Sequence, residues 1–554
     1  MDKIRIKDEE LAVKTRNVDH LGIVSGIVDE IGLVETIDAL VGRHEQDVLS
    51  TGQTVKAMIL NGLGFVSAPL YLYSRYFEHL DTELLLGKGV SWEHLNDDKL
   101  GHTLDKLQQV GTSKIFSQVA LKACELLGVS REQKHLDGTS MSVYGEQYQK
   151  GYAGSLSEEA RAEAAEPIKV VHGYSRDHRP DLRQFMIELM SAGDGDVPLW
   201  FAAQDGNTSE KKAFARRIKH YRKQFKEDGL YIVDSALFSQ EKLKLLGSAR
   251  WLTRVPLSLQ QAKEAVQLAA SAFRDCEATE LKDYRLASLG SVTYAVEQRW
   301  LVVENKRSRQ AAWRKLETKL TTQAQANQVK LGRLRRQVFH CEADALKAAK
   351  SLKTSLGFYT LSHISVQATA KYQTRGRPSA SSPYVLQYQL CAELSQDETK
   401  LSQAKQQAGR FMLASNVLDE QALSDQAILL AYKEQQAAER GLAFLKDRIF
   451  FADNIFLKMP QRIEALAMVM GLCLLVYTLA QRQLRQNLQA EQATIPNQLA
   501  KPTSRPTLRW VFQMLQGIHS LLIDQRKLIT NLTDELKHVL SFFSPSVRRY
   551  YLLL

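Results

Sequence analysis

The 554-residue sequence lacks several features that would define a function class at once. It has no glycine-rich phosphate loop and no zinc-type spacing of cysteine and histidine, which argues against an ATPase and a zinc-finger factor. It has no internal repeat. Its five cysteines are scattered and form no C-x-x-C pair, so we expect reduced, buried thiols in a cytosolic protein rather than disulfides.

Long apolar segments are also scarce. The first ten residues are charged and lack the apolar segment of a secretion signal. The charge-free apolar run over residues 465–480 is shorter than the roughly 20 residues that a membrane-spanning helix needs. We therefore interpret this run as a helix of the protein core, and we expect a cytoplasmic protein without membrane contact.

The composition provides enough apolar residues for large cores, at 44% of the chain. The length is too great for a single core and indicates two to four domains. Lysine and arginine total 73 against 62 acidic residues, which gives a net charge of +11 and a pI near 9.2. This excess suits a polyanionic partner such as nucleic acid, although many soluble proteins are mildly basic.

Asp137 and Asp234 each belong to a strand that is predicted after residue 131. The segment 134–140 contains Asp137, and the segment 230–234 ends in Asp234. Taken singly, either aspartate is equally typical of an exposed loop. Further strands are predicted at 169–174, 184–189 and 251–256, with a helix from Thr208 or Ser209 to about residue 225. The lysines and arginines of that helix suit either a solvated face or contact with phosphates.

The stretch Tyr432–Lys446 favours a helix, because most of its residues are good helix formers. On a period of 3.6 residues, Tyr432, Gln435, Glu439 and Lys446 lie on one stripe, with the glutamate in the middle. Composition alone would make this an ordinary solvated face. The order of residue types is what suggests a function.

This spacing resembles the Y-R-E-K signature of the insertion-sequence-four superfamily, which comprises DDE transposases of bacterial insertion sequences. In that family the glutamate is the third metal-binding carboxylate, and the tyrosine, arginine and lysine hold phosphates of the transposon end. Here Gln435 stands where the family has arginine, so one charged contact is missing. Arg440, one residue past Glu439, could partly replace it.

The resemblance implies an α/β fold with an RNase H-like catalytic core that is interrupted by a β-rich insertion. In such a core the first and fourth strands are neighbours, which would bring Asp137 and Asp234 together. The implied segments are a helical domain that binds DNA ends (1–130), the first part of the core (131–256), the insertion (257–415), the second part of the core with the Glu439 helix (416–490) and a helical C-terminal region (491–554).

The resemblance also implies the site. Asp137, Asp234 and Glu439 would hold Mg²⁺, for which Mn²⁺ may substitute, because hard cations prefer carboxylate oxygens. The residues implied to contact DNA are Tyr432, Gln435, Arg440, Lys446 and, in a basic loop, Arg375 and Arg377. Trp300 suits an aromatic that holds a flipped base, and it equally suits a core position.

The implied function is cut-and-paste DNA transposition by a homodimer on paired double-stranded DNA ends, with hairpinned ends as an option. Two alternatives stay open on the sequence. One is a metal-dependent nuclease of the same fold without strand transfer. The other is an inactive or repurposed DNA-binding protein, against which the presence of all three acids argues.

Overall fold

The computed structural model describes residues 2–6, 9–43, 47–65, 68–144, 166–208, 210–373, 382–447, 457–523 and 526–553. The chain divides into two compact units. Unit 1 comprises residues 1–252 and 431–554, and unit 2 comprises residues 253–430. Unit 1 is therefore built from two segments that are far apart in the sequence.

The described part of the N-terminal region begins with two strands and continues with helices. Their bounds are Asp2–Ile6 (β1), Glu9–Asn17 (β2), Leu21–Glu30 (α1), Leu33–Val41 (α2), Thr51–Leu63 (α3), Tyr73–Phe77 (α4), Thr82–Leu86 (α5), Asp97–Val110 (α6) and Thr112–Leu126 (α7). The prediction of an entirely helical region is wrong for β1 and β2. These two strands pair with each other in antiparallel fashion.

The central sheet of unit 1 follows. Its strands are Gln133–Val143 (β3), Arg183–Ala192 (β4), Pro198–Gln204 (β5), Leu230–Val233 (β6) and Arg250–Arg254 (β7), with helices Glu210–Phe225 (α8) and Gln240–Leu246 (α9) between the later strands. The strand order is β5-β4-β3-β6-β7. Strand β3 is antiparallel to β4 and parallel to β6, so the first and fourth strands are neighbours as predicted.

One of the three strands predicted before α8 is misplaced. Residues 169–174 contain only an isolated bridge, between Val171 and Gln184, whereas the unpredicted strand is β5. Strand β5 reads P-L-W-F-A-A-Q and is buried along almost its whole length. A continuous apolar run of this kind does not show the alternation of a half-buried strand, which is why its periodicity gave no strand signal.

Unit 2 contains a second group of strands. The bounds of its elements are Gln260–Ala265 (α10), Arg274–Asp275 (β8), Tyr284–Thr293 (β9), Val296–Asn305 (β10), Lys306–Arg336 (α11), Val338–Phe339 (β11), Glu342–Thr354 (α12), Tyr359–Tyr372 (β12), Tyr384–Gln396 (β13), Glu398–Gln407 (α13) and Arg410–Ser415 (β14). Strands β14, β10, β9 and β8 are neighbours in that order, and β11, β13 and β12 form a separate sheet. The insertion is therefore β-rich, as predicted, and it also contains the long helix α11.

The chain returns to unit 1 within helix Asp425–Glu434 (α14), which is followed by Gln436–Leu445 (α15) and Pro460–Ala490 (α16). Helix α16 is long and apolar enough to cross a membrane, but 83% of its most apolar stretch is buried inside the protein. Gly471 faces Phe201 of β5 and Phe116 of α7, where an added Cβ would come within 2.8 Å of the Phe201 ring. The run 465–480 is thus part of a core helix that packs closely on the sheet.

The C-terminal region contains strands as well as helices. The bounds are Ile495–Pro496 (β15), Pro502–Thr503 (β16), Leu508–Met514 (α17), His519–Ile523 (β17), Arg526–Thr530 (β18), Asp534–Ser541 (α18) and Pro545–Arg548 (α19). Strand β17 pairs with β2, so one sheet has the order β1-β2-β17-β18. The prediction of a purely helical C-terminal region is therefore wrong, and local sequence does not reveal the pairing because the partner strands lie about 500 residues apart.

Candidate active site

Asp137 and Asp234 lie beside each other on neighbouring parallel strands. The register pairs Leu136 of β3 with Val233 of β6. Asp137 is the next residue within β3, and Asp234 comes directly after the end of β6. Asp137 accepts a hydrogen bond from the Gly138 N–H at 2.8 Å, and Asp234 accepts one from the Ala236 N–H at 2.8 Å. Both side chains are partly exposed. The structure thus brings two of the three predicted carboxylates together.

Glu439 lies on helix α15, which packs on β3. The predicted helix is interrupted at one residue, because α14 ends at Glu434 and α15 begins at Gln436. Gln435 keeps helical dihedral angles at this joint, with φ −53° and ψ −29°. Glu439 follows Gln435 by about one helical turn, and its side chain is exposed at the edge of the buried face.

Gln435 has a different role from the predicted phosphate contact. Its side chain is only 6% exposed. The amide Nε2 donates a hydrogen bond to the Leu136 carbonyl oxygen at 3.2 Å, and Oε1 lies 3.4 Å from Nδ1 of His135. A neutral amide suits this buried position, where an arginine would carry an unpaired charge. Gln435 therefore fixes the start of α15 to the backbone beside Asp137.

The end of α15 is connected to β3 through the loop that precedes β4. Lys446 Nζ lies 2.8 and 3.0 Å from the two carboxylate oxygens of Asp177. The preceding residue, Arg176, donates a hydrogen bond from its guanidinium to the Gly138 carbonyl oxygen at 2.6 Å. The Glu439 helix is thus held on both sides of Asp137, at Leu136 through Gln435 and at Gly138 through this loop.

The other predicted DNA contacts of this region are accessible. The Arg440 side chain is 65% exposed and forms an ion pair with Asp196 at 3.0 Å. Lys446 is 27% exposed and its ion pair with Asp177 is also at the surface. An exposed ion pair contributes little, about 0–1 kcal/mol, so both cations can exchange a carboxylate for a phosphate at small cost. Tyr432 is partly buried at the end of α14.

Trp300 occupies a core position. It lies on β10 and is 3% exposed, and its indole N–H donates a hydrogen bond to Oε1 of Gln298 at 2.9 Å. A ring buried in this way cannot stack on an extruded base, so the first of the two interpretations of Trp300 is wrong. Arg375 and Arg377 lie outside the residues that the structure describes.

Sequence reasoning missed two charged residues next to Asp137. Glu188 of β4 is paired in register with Gly138 and is 1% exposed, and its carboxylate accepts a hydrogen bond from Arg217 Nε at 2.9 Å. An acid inside the apolar strand F-M-I-E-L-M was the available signal. Arg176, described above, had no such signal in the sequence because it lies in a polar loop. Arg217 belongs to the basic helix α8, so at least this cation serves the fold rather than a solvated face.

Asp137 and Asp234 suit a hard divalent cation, since they are carboxylates on two neighbouring strands. Among the residues that the structure describes, no group of three or more aspartate, glutamate, histidine or cysteine side chains is close enough to hold a metal ion. Asp137 and Asp234 therefore form a preformed pair. Glu439 is on the neighbouring helix and does not complete a cluster with them in this structure.

His135 makes the stability of this site pH-dependent. Burial lowers the pKa of His135 to about 4, and the bond to Gln435 opposes that shift only in part. The folded state thus keeps this histidine neutral while the unfolded chain binds a proton below about pH 6.5. The contribution of neutral His135 to the free energy of unfolding is therefore fully present above about pH 6.5, and it is lost as the pH falls from 6.5 to 4.

We expect wild type to lose about 2 kcal/mol more of its unfolding free energy between pH 7.5 and pH 5 than the variant His135→Gln loses. Denaturant unfolding at the two pH values measures this difference. Raised pKa values of buried carboxyls such as Glu464 act in the opposite direction, but they are common to both proteins. An equal loss in the two proteins would contradict the buried, neutral His135.

These features define a class of protein that places paired acids on neighbouring parallel strands of a mixed sheet. Residues 134–478 match the family model described as "Transposase DDE domain", and the chain belongs to this family of DNA transposases. Residues 13–121 match a domain of unknown function (DUF4277).

Other comparisons add little. A cryo-EM structure of the piggyBac transposase synaptic complex with hairpin DNA is similar over 98% of this chain and 84% of that chain, with 8% identity and a TM-score of 0.34. Similarity at this level is too weak to define a fold. Among curated proteins, no significant match is found.

Proposed function

We propose that this protein catalyses metal-dependent cut-and-paste transposition of a bacterial insertion sequence. The observation that carries the proposal is the position of Asp137 and Asp234, side by side on parallel strands within the segment that matches the transposase family. The helix that follows with Glu439 packs on the same strand. We further propose that the core is RNase H-like, since the first and fourth strands are neighbours as such a core requires.

In this proposal Asp137, Asp234 and Glu439 would hold Mg²⁺ ions, with Mn²⁺ as a substitute. The ions would supply charge stabilisation for the attacking and leaving oxygens of a phosphodiester. Closure of α15 towards β3 when DNA binds brings Glu439 to the aspartate pair. The contact of Gln435 with Leu136 fixes the start of that segment, whereas Lys446 at its end is released from Asp177 to a phosphate.

The phosphate contacts come from this chain's exposed cations. Lys446 and Arg440 exchange Asp177 and Asp196 for phosphate oxygens, and Tyr432 adds a hydrogen bond. Arg176 lies one residue from Asp177 and its guanidinium is bonded to the Gly138 carbonyl oxygen, so it is a further cation beside this proposed phosphate contact. Water is the first nucleophile and a DNA 3′-hydroxyl the second, with no covalent bond between DNA and protein.

The N-terminal region, up to about residue 130, is proposed to recognise the inverted repeats. A homodimer would hold two DNA ends, and hairpinned ends would be one route of excision. The protein would act in the cytoplasm, on the bacterial nucleoid.

We expect purified wild-type protein with Mg²⁺ to excise its own gene from DNA that includes both flanking sequences. The variant Glu439→Gln should show no excision, since it keeps the size and helix propensity of the side chain but removes the charge. Native and denaturing gels would resolve the products, and fragments that double in length on denaturation would reveal hairpins. Glu434→Gln, the same change at an exposed glutamate of α14, is the matched control and should excise normally.

Excision by wild type and the control, but not by Glu439→Gln, supports the proposal. Cleavage without any joining to a target plasmid would favour a nuclease. Binding of the flanking DNA without cleavage, in Mn²⁺ as well as Mg²⁺, would overturn the enzymatic proposal and favour a DNA-binding protein.

A further inference from the structure

Helix α11 of unit 2 carries an unusual concentration of positive charge. Over Lys306–Arg336 the sequence contains ten lysines and arginines and a single acid, Glu317. Helix α12, which packs beside it, adds the exposed Lys347, Lys350 and Lys353. A solvated helix of a soluble protein usually mixes charges of both signs, because like charges three or four residues apart repel each other.

One face of α11 is fixed to the rest of unit 2. Leu331 is fully buried, and Asn327 donates a hydrogen bond to the Leu356 carbonyl oxygen at 2.9 Å. Tyr359 donates one to the Leu320 carbonyl oxygen at 3.2 Å, and Arg335 reaches the Ala392 carbonyl oxygen. The helix therefore cannot rotate, and the side chains on its other face are held towards solvent.

The basic side chains of the outer face are the ones without an ionic partner. At the N-terminal end, Lys306, Arg307 and Arg309 pair with acids. Within the described residues no ion pair is formed by the six exposed cations Arg314, Lys315, Lys319, Lys330, Arg333 and Arg336. At 100° per residue these six occupy the half of the helix opposite Leu331, so they form one basic face.

We infer that this basic face binds the phosphate backbone of double-stranded DNA without regard to sequence, as a second DNA contact that is distinct from the catalytic site. At a rise of 1.5 Å per residue, the stretch from Arg314 to Arg336 is about 33 Å long, close to one turn of the double helix. Charge complementarity selects the partner, because duplex DNA carries one negative charge per ~1.7 Å. The inference rests on the proposed function, since DNA is the polyanion on which a transposase acts.

The test is carried out on the full chain with four of these residues neutralised: Lys315→Gln, Lys319→Gln, Lys330→Gln and Arg333→Gln. Glutamine is a good helix former, so the helix should persist. The matched control removes the same charges from exposed positions elsewhere in unit 2: Lys263→Gln, Arg274→Gln, Lys282→Gln and Lys371→Gln. Binding to a 40-base-pair duplex of arbitrary sequence would be measured by fluorescence anisotropy over a range of salt concentrations.

We expect the α11 variant to bind this duplex at least about tenfold more weakly than wild type. The slope of log K against log salt should fall by about 3–4, since each lost phosphate contact removes about 0.9 from it. The control variant should keep both the affinity for the duplex and the salt slope close to the wild-type values. Equal binding by wild type and the α11 variant, or an equal loss in the control, would overturn the inference.

Two further measurements separate this inference from other partners and from the proposed function. If the variant loses binding to vesicles with phosphatidylserine or to single-stranded RNA while duplex binding is unchanged, α11 serves another partner and the inference fails. If wild type does not excise its gene but binds the duplex through α11, the inference stands and the enzymatic proposal fails. If wild type excises normally and α11 does not affect duplex binding, only the inference fails.

Discussion

Replacing Asp137 or Asp234 by asparagine is expected to reduce excision on the order of 1000-fold or more, while binding to flanking DNA changes little. Loss of one carboxylate removes a hard anionic ligand and the charge stabilisation that depends on it. Asparagine keeps the oxygen that accepts the backbone hydrogen bond from Gly138 or Ala236, so the fold should persist. Initial excision rates and a gel-shift titration would be measured side by side.

The matched control is Asp228→Asn, the same substitution at an exposed residue just before β6. It should leave the excision rate within about twofold of wild type, since surface changes away from special features have small effects. Undiminished excision by Asp234→Asn would remove the aspartate pair from the mechanism. The double variant of Asp137 and Asp234 should be no worse than either single variant, because residues that act as one unit are not additive.

The largest expected effect on stability is at Glu304 of β10. This side chain is 1% exposed, and Nε of Arg410, which is 2% exposed, lies 2.9 Å from it on the neighbouring strand β14. Arg309 and Arg285 add ion pairs at 3.0 and 3.5 Å, and together with the hydrogen bond from Arg410 they hold the pKa of Glu304 below its usual range despite burial. Glu304→Ala would leave the buried guanidinium of Arg410 without its carboxylate.

We expect Glu304→Ala to destabilise unit 2 by about 3–5 kcal/mol, the usual effect of removing one partner of a buried ion pair. Because the chain has two units, hydrogen exchange of the β10 amides is a better measure than a single melting temperature. Glu297→Ala, on the same strand but exposed, is the control and should change exchange by less than about 0.5 kcal/mol. Similar protection in both variants would show that Arg410 finds another partner.

The candidate acids were predictable only in part from local patterns. An acid at or inside an apolar strand marked Asp137 and Asp234, and a polar stripe on a helix marked the segment around Glu439, but the resemblance to a transposase signature was needed to single the three out. That the two strands are parallel neighbours agrees with the expectation for the fold. The sequence pattern also indicated that the run 465–480 is a core helix rather than a membrane span.

The predictions that failed concern features that depend on tertiary contacts. The burial of Gln435 follows from the position of α15 on β3, and Trp300 is buried by the packing of β10, neither of which spacing reveals. Strand β2 pairs with β17, near the other end of the sequence, as well as with β1, and local sequence does not reveal the distant pairing. Strand β5 was missed because a fully buried strand has no alternation to detect.

The division of unit 1 into two segments has a consequence for the order in which the protein becomes active during synthesis. Asp137 and Asp234 leave the ribosome before unit 2, and Glu439 follows only after the whole of unit 2. At roughly 5–20 residues per second, the intervening chain takes on the order of 10–40 s to synthesise. During this delay, and in any chain that terminates within unit 2, the aspartate pair exists without its glutamate helix. Under the proposed mechanism, which requires all three acids, an unfinished chain of this kind would not cut DNA.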